Sequence, residues 1–322
     1  MKAVYIEQTG GAEVLQFGDQ PKPEPGAGHA LVKISASGVN FIDTYHRTGL
    51  YKLPMPAILG SEGAGIVEAV GDGVRMVKPG DRVAWAMTRG SYAEYAAVPE
   101  AQLIKLPEGV SLDDAAAAML QGMTAHYLTH STFPLKPDHV ALVHAAAGGT
   151  GRLIVQMAKM LGARVIATAG SHEKAGIARQ AGADETILYR EHDFAEETRR
   201  LTGGKGVDVV YDSVGADTFT KSIDSLKPRG MMVTFGNASG PVPPVQPLLL
   251  SQKGSLFLTR PTLAAYIATR EELEWRSGDI FRWIAEKKLV LRIEKVYPLA
   301  QAAQAHRDLE GRKTSGKLVL MV

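Results

Sequence analysis

Residues His139 to Lys174 read H-V-A-L-V-H-A-A-A-G-G-T-G-R-L-I-V-Q-M-A-K-M-L-G-A-R-V-I-A-T-A-G-S-H-E-K, and the order of residue types in this stretch decides the fold. Val140 to Ala145 is a short apolar run, the pattern of a strand buried on both faces. The turn Ala146-Ala147-Gly148-Gly149-Thr150-Gly151 follows at once. Gly148 and Gly149 let the backbone come close to a bulky phosphate, and Gly151 lets the next helix pack closely on the strand. Ile154, Ala158 and Leu161 recur at helical spacing and give that helix a core face. Its N-terminus presents free N–H groups and partial positive charge, which suits a pyrophosphate. A bare G-x-G-x-x-G is a weak motif, and here its first glycine is Ala146. The order strand, turn, helix, second strand is what makes the stretch a dinucleotide site.

The second strand, Arg164 to Thr168, carries the cofactor preference. A site for NAD usually has an acid near this end, bound to the ribose hydroxyls. Here the end reads Thr168-Ala169-Gly170-Ser171, with no acid, and Lys174 follows one turn later. A missing carboxylate removes repulsion and a lysine supplies attraction for a 2′-phosphate, so the pattern points to NADPH.

Outward from this stretch, composition sets bounds. The chain has 322 residues, too long for one core, so two domains are expected. It is 45% hydrophobic and 22% charged, ordinary for a globular protein. The net charge of +2 and pI of about 8.6, with no dense Lys/Arg block, do not favour nucleic acid as the main partner. There are no cysteines, which excludes disulfides, thiolate metal sites and cysteine nucleophiles. The N-terminus lacks the pattern of a signal peptide and no apolar run is long enough to span a membrane, so the expected location is cytoplasmic.

Residues 1–100 read as β-rich, with strands at Ala3–Ile6, Ala30–Ser35, Ala64–Val70 and Arg82–Ala86, and a further hairpin arm from Gly90. Leu112 to Met119 starts a helix, and a second helix is predicted from Met123 towards Thr132. Beyond Val140, strands and helices alternate. Strands at Glu185–Tyr189, Val207–Tyr211, Gly230–Phe235 and Ser255–Leu258 bring the count to six, that of a doubly wound parallel sheet. A helix over 271–288 carries Ile280, Trp283, Ile284 and Leu289 as its core stripe, and Lys317–Val322 is a terminal strand. The expected division is an NADPH-binding Rossmann domain over 123–262 and a β-rich catalytic domain made of 1–122 plus 263–322. The nine histidines show no metal spacing, and His126, His130 and His144 read as structural.

Five segments together resemble the medium-chain dehydrogenase/reductase superfamily, and within it the zinc-free quinone oxidoreductases of the ζ-crystallin-like branch. They are Ser37-Gly38-Val39-Asn40-Phe41-Ile42-Asp43-Thr44-Tyr45, Gly60-Ser61-Glu62-Gly63-Ala64-Gly65, His144 to Gly151, Tyr211-Asp212-Ser213-Val214-Gly215 and Phe235 to Gly240. The resemblance covers essentially the whole chain and implies a GroES-like fold for the β-rich domain. The positions matching the catalytic zinc ligands of the alcohol dehydrogenases are Asn40, Ser61 and Gln121, none of them a competent zinc ligand, so no zinc is expected. Many related quinone reductases carry lysine where Gln121 stands.

The resemblance implies metal-free hydride transfer from NADPH to a quinone. Asn40, Asp43, Tyr45, Tyr51 and Gln121 would line the substrate side, with Asp43 fixing a loop. The cofactor side would comprise Thr124, Gly148, Gly149, Thr150, Gly151, Gly170, Ser171, Lys174, Tyr189, Ser213, Asn237, Phe257 and Arg312. Ser255–Leu258 would be an outer strand with an unprotected edge, and the family commonly covers it by pairing across a twofold axis, which implies a homodimer. The alternatives are an NADPH-dependent reductase of enones or alkenals and a non-catalytic NADPH-binding protein, crystallin-like or RNA-binding.

Overall fold

The computed structural model describes every residue from Met1 to Val322. The chain divides into two compact units, Met1–Met123 with Tyr266–Val322, and Thr124–Ala265.

In chain order the first unit contributes β1 (Lys2–Ile6), β2 (Gln16–Asp19), β3 (His29–Val39), helix α1 (Phe41–Thr48), β4 (Ala57–Ile58), β5 (Glu62–Val70), β6 (Arg82–Ala86), β7 (Tyr95–Pro99), β8 (Ile104–Lys105) and most of helix α2 (Leu112–Tyr127), whose residues from Thr124 on belong to the second unit. Strand β3 is the hub. It pairs antiparallel with β5 along one edge and with β7 on the other, over His29–Lys33. The strand that follows Gly90 is not a hairpin arm but a long-range partner of β3, because Ala97 and Val98 register with Leu31 and Ala30. The core of this sheet gathers Ile34, Val83, Trp85, Val98 and Leu103, each at most 4% exposed. Burying side chains of this size contributes roughly 1.5–3 kcal/mol each.

Helix α1 starts where Asn40, in extended conformation, gives its backbone N–H to the Asp43 carboxylate at 3.0 Å. It ends at Gly49, whose φ of 82° suits a residue without Cβ. Helix α2 is one continuous element, continuing as a π-helical turn over Leu128–Thr132, where two helices were expected. Gly122 does not break it. A Cβ there would lie 3.1 Å from Ile280 Cδ1, so this glycine serves packing against a neighbouring helix.

The second unit runs β9 (Val140–Val143), α3 (Gly149–Met160), β10 (Arg164–Ala169), α4 (His172–Gln180), β11 (Glu185–Leu188), α5 (Phe194–Leu201), β12 (Val207–Asp212), α6 (Phe219–Ser225), β13 (Leu226–Thr234), α7 (Pro247–Gln252) and β14 (Phe257–Thr259). All six strands are parallel, in the order β11-β10-β9-β12-β13-β14. This is the doubly wound arrangement, whose order reverses between β9 and β12 and opens a crevice at their carboxyl ends. Strand β14 begins two residues later than expected. Gly254 and Ser255 both have positive φ, 113° and 58°, and complete a turn before the strand can start.

Helices α8 (Leu263–Tyr266), α9 (Arg270–Ala285) and α10 (Ala302–Glu310) and strands β15 (Ile293–Pro298) and β16 (Lys317–Met321) close the chain. Strand β16 pairs with the end of β3, Leu318 against Val39 and Leu320 against Ser37.

Candidate active site

Within the second unit, Gly148 is the N-cap of α3, and Gly149, Thr150 and Gly151 form its first turn at the carboxyl end of β9. Ala145 takes a φ of 48°, bending the chain from strand to loop. A Cβ on Gly151 would collide with the Ala145 carbonyl and sit 3.0 Å from Ala146 Cα, so only glycine lets α3 approach this turn. The first N–H groups of α3 are thereby presented over the sheet, the arrangement that binds phosphate.

A second cluster stands at the ends of β10 and β11. Ser171 caps α4, its Oγ accepting from the Lys174 N–H at 3.3 Å. The Tyr189 hydroxyl lies over Gly170, 2.8 Å from where a Cβ would be. No carboxylate occurs between Thr168 and Ser171.

A third cluster stands on the other side of the switch point. Gly236 packs against the backbone of Ser213, and Ala238 donates to the Ser213 carbonyl at 3.3 Å. The Asn237 amide gives its NH₂ to the Gly236 carbonyl and takes Arg260 Nη2 on its oxygen, both at 3.0 Å. Arg260 also binds the Thr234 carbonyl at 3.0 Å. Sequence reasoning missed Arg260. Its only signal was its place just past the last strand of the sheet.

Beneath these loops, His144 is 1% exposed and lies 2.9 Å from both Thr168 Oγ1 and Ser222 Oγ. Ser222 and Thr218 in turn donate to Asp212. With Ser222 committed as donor to Asp212, His144 carries its proton on Nε2. Burial pushes its pKa down, opposed by the Asp212 charge. It is a structural histidine that fixes the loop bases.

Thr124, Phe257 and Arg312 complete the expected cofactor set. Thr124 lies on α2, 8% exposed, three residues after Gln121 and so on the same helix face. Phe257 registers with Met231, two residues before the carboxyl end of β14, and its side chain is 56% exposed on the sheet edge. The carboxyl end of β14 is Thr259, followed by Arg260. Arg312 belongs to the other unit, exposed on the turn between α10 and β16 with a φ of 53°.

Within the first unit, Tyr45 and Tyr51 meet edge to face at 5.3 Å, and Tyr51 also meets His46 at 5.9 Å. Phe41 stands 6.2 Å from Tyr45, so α1 and the residues after it carry a cluster of four rings. Tyr51 is 36% exposed and Tyr45 only 9%.

Asn40 and Asp43, both expected on the substrate side, are buried and tied into a hydrogen-bond network. Asn40 is 3% exposed and both its amide hydrogens are committed, to the Gly38 carbonyl at 3.2 Å and Glu62 Oε2 at 2.8 Å. Its oxygen accepts from Lys317 Nζ at 2.7 Å. Asp43 is fully buried and accepts from Ser61 Oγ (2.7 Å), Asn40 N (3.0 Å) and Tyr92 Oη (3.1 Å). Burial pushes its carboxyl up to about 6, and the hydrogen bonds from Ser61 and Asn40 oppose that rise. Tyr92 meets His306 Nε2 at 3.1 Å, and Arg47 reaches His306 Nδ1 at 3.2 Å while binding Glu310 through both Nη atoms. Burial, then the Arg47 charge, holds His306 down at about 3, so it is neutral and donates from Nε2. The network ties α1 to α10 and fixes the entry of α1.

The residues present do not suit a zinc ion. Asn40, Ser61 and Gln121 offer two amides and a hydroxyl, and the Lys317 ammonium on Asn40 opposes a second cation. No group of three or more His, Asp or Glu side chains is placed to hold a metal.

Residues 26–108 match the family model of the alcohol dehydrogenase GroES-like domain, and residues 149–277 match that of the zinc-binding dehydrogenases. Over 322 residues the chain is 47% identical to a quinone oxidoreductase of Pseudomonas aeruginosa, covering 99% of both chains. The chain belongs to the quinone oxidoreductase family. Quinone oxidoreductase 1 of Escherichia coli K12 is 46% identical over 99% of this chain and 98% of its own. The crystal structure of Escherichia coli quinone oxidoreductase complexed with NADPH matches the fold with a TM-score of 0.98, at 45% identity and full coverage of both chains. A 2-haloacrylate reductase from Burkholderia is 43% identical over 99% of this chain and 98% of its own. The quinone oxidoreductase family thus combines the parallel sheet and the GroES-like unit described above.

Proposed function

We propose that the protein is an NADPH:quinone oxidoreductase working without zinc. Bound NADPH supplies a hydride, and a quinone that receives it gains two electrons and becomes a hydroquinone anion, which takes one proton from water. The α3 N-terminus with Gly148, Gly149, Thr150 and Gly151 would hold the pyrophosphate, and Lys174 with Ser171 and Tyr189 the adenosine 2′-phosphate end. Ser213 and Asn237, braced by Arg260, would border the crevice at the switch point. On the acceptor side, Tyr51, backed by Tyr45, would offer a ring face to a flat acceptor and Gln121 an amide at its rim.

The observation that carries the reading is the donor set Asn40, Ser61, Gln121 beside the Lys317 ammonium. With no Lewis acid to stabilise an alkoxide, hydride goes to an acceptor that already takes electrons easily, and a quinone gains aromaticity by it. The relationship to a 2-haloacrylate reductase supports a second reading, reduction of an activated carbon–carbon double bond as in an enone or alkenal. Side-by-side initial rates with NADPH on benzoquinone, naphthoquinone and an enone separate the two. Higher kcat/KM on the quinones is expected; faster enone turnover, or none on quinones, defeats the first reading.

Tyr51→Phe should lower kcat on naphthoquinone about two- to fivefold if the hydroxyl hydrogen-bonds the acceptor oxygen. An unchanged kcat would reduce Tyr51 to packing.

No helix is long and apolar enough to cross a membrane, which supports a cytoplasmic enzyme. Strand β14 is the outer strand of its sheet, with Phe257 56% and Leu248 62% exposed nearby. An open edge of this kind supports a homodimer formed by edge pairing.

A further inference from the structure

Glu62 is fully buried and forms an ion pair with Lys317 at 2.6 Å, whose side chain is 3% exposed. Its Oε1 accepts the backbone N–H of Leu120 at 2.6 Å, inside helix α2 and one residue before Gln121. Its Oε2 accepts from Asn40 Nδ2 at 2.8 Å as well as from Lys317. Gly38 makes room for this, since a Cβ there would collide with the Glu62 carboxylate and the Ala116 carbonyl. Lys317 Nζ also holds the Asn40 oxygen. One charge pair therefore governs the placement of Asn40 directly and of Gln121 through the preceding residue. Both charges are out of water, so removing either leaves the other uncompensated.

We propose that Lys317 is a positioning residue of the acceptor half-site, one that cancels the Glu62 charge and holds Asn40 and Gln121 in place. The inference rests on the quinone reading. A hydride arriving on the acceptor brings one negative charge with it. A neutral Glu62–Lys317 pair tolerates that charge, whereas a bare buried carboxylate repels it as it develops. The effect falls on the transition state and so on kcat rather than KM. The other titratable groups here are Asp43 on α1, which feels the Lys317 charge, and Tyr92, a phenol kept protonated by burial and then by Asp43.

The test compares the wild-type chain, Lys317→Met, Glu62→Gln/Lys317→Met and Lys317→Arg, by kcat against pH with NADPH and naphthoquinone and by thermal midpoint against pH. Lys317→Met should lower kcat at pH 8 about tenfold or more with KM changed by less than about threefold, since a transition-state charge term is lost. The deficit should shrink towards pH 6, because a buried carboxylate without its counter-ion is stable only once protonated. Its thermal midpoint should rise over the same interval relative to wild type. The double variant should regain kcat to within about threefold, lose the added pH dependence and melt higher than Lys317→Met, and Lys317→Arg should keep most of the rate. A pH profile of Lys317→Met parallel to wild type, or a double variant no faster and no more stable, overturns the proposal. If Lys317→Met does not fold, the double variant decides: folded and fast supports the proposal, folded and slow or unfolded overturns it. Absence of naphthoquinone turnover by the wild-type chain counts against the quinone reading alone, and the thermal midpoints still decide the charge pairing.

Discussion

Gly151→Val abolishes dinucleotide binding and lowers the thermal midpoint by several degrees. The added Cβ would meet backbone, the Ala145 carbonyl oxygen and carbon and Ala146 Cα, and no flexible side chain is available to yield. The loop is already strained, with Ala145 at a φ of 48°, so it has little room to retreat. Overpacking of this kind costs about 1–3 kcal/mol, and a β-branched residue in the first helical turn stands at the upper end. The displaced turn is the one whose N–H groups face the phosphate, so affinity falls together with stability. Isothermal titration with NADPH and a melting curve check this. Gly176→Ala is the control, because an added Cβ there meets nothing within 4 Å, and it should leave binding unchanged. NADPH affinity in Gly151→Val within about threefold of wild type would refute the close-packing role given to this glycine.

The parallel sheet was legible in the sequence because its central strands are short, buried apolar runs followed by glycine or polar residues. Val140–Val143, Arg164–Ala169 and Val207–Asp212 all show this pattern. The misreadings have particular causes. Two helices were expected where α2 is continuous, and Gly122 within it packs against Ile280, a contact that no local pattern announces. Ser255 looked like the start of a strand, but its backbone is left-handed and the strand waits for Phe257. The arm after Gly90 joins β3, 62 to 70 residues earlier, and its alternation says nothing about which strand it will find.

The candidate site was legible as residue types and not as exposure. The glycine turn and the acid-free end of β10 could be read directly, and the two tyrosines of the α1 segment only through the family resemblance. That Asn40 and Asp43 turn inward could not, because their partners Glu62, Ser61, Tyr92 and Lys317 lie 18 to 277 residues away. Lys317 itself opens a terminal apolar strand, where a lysine ordinarily reads as a solvated edge. Only the pairing of β16 with β3 carries its ammonium to Asn40.

Lys174→Ala raises the KM for NADPH about ten- to thirtyfold and leaves that for NADH within about twofold, the loss of one charge-assisted contact to a 2′-phosphate. The two cofactors differ only in that phosphate, so the ratio isolates the contact from general damage. Helix α4 should survive the change, because its cap uses the residue-174 backbone N–H on Ser171 Oγ, which alanine retains, and alanine favours helix. Arg179, the other cation on this helix, donates to Thr186 Oγ1 at 3.1 Å and is drawn towards β11. With no carboxylate from Thr168 to Ser171 to bind a free ribose hydroxyl, the loss of Lys174 cannot convert the site to NADH. It leaves an enzyme poor with both cofactors, and the NADPH preference of wild type should itself narrow as salt screens the exposed part of the contact. Equal effects on the two KM values would move the phosphate away from α4, with Arg190, exposed beside Tyr189 at the end of β11, as the next residue to replace.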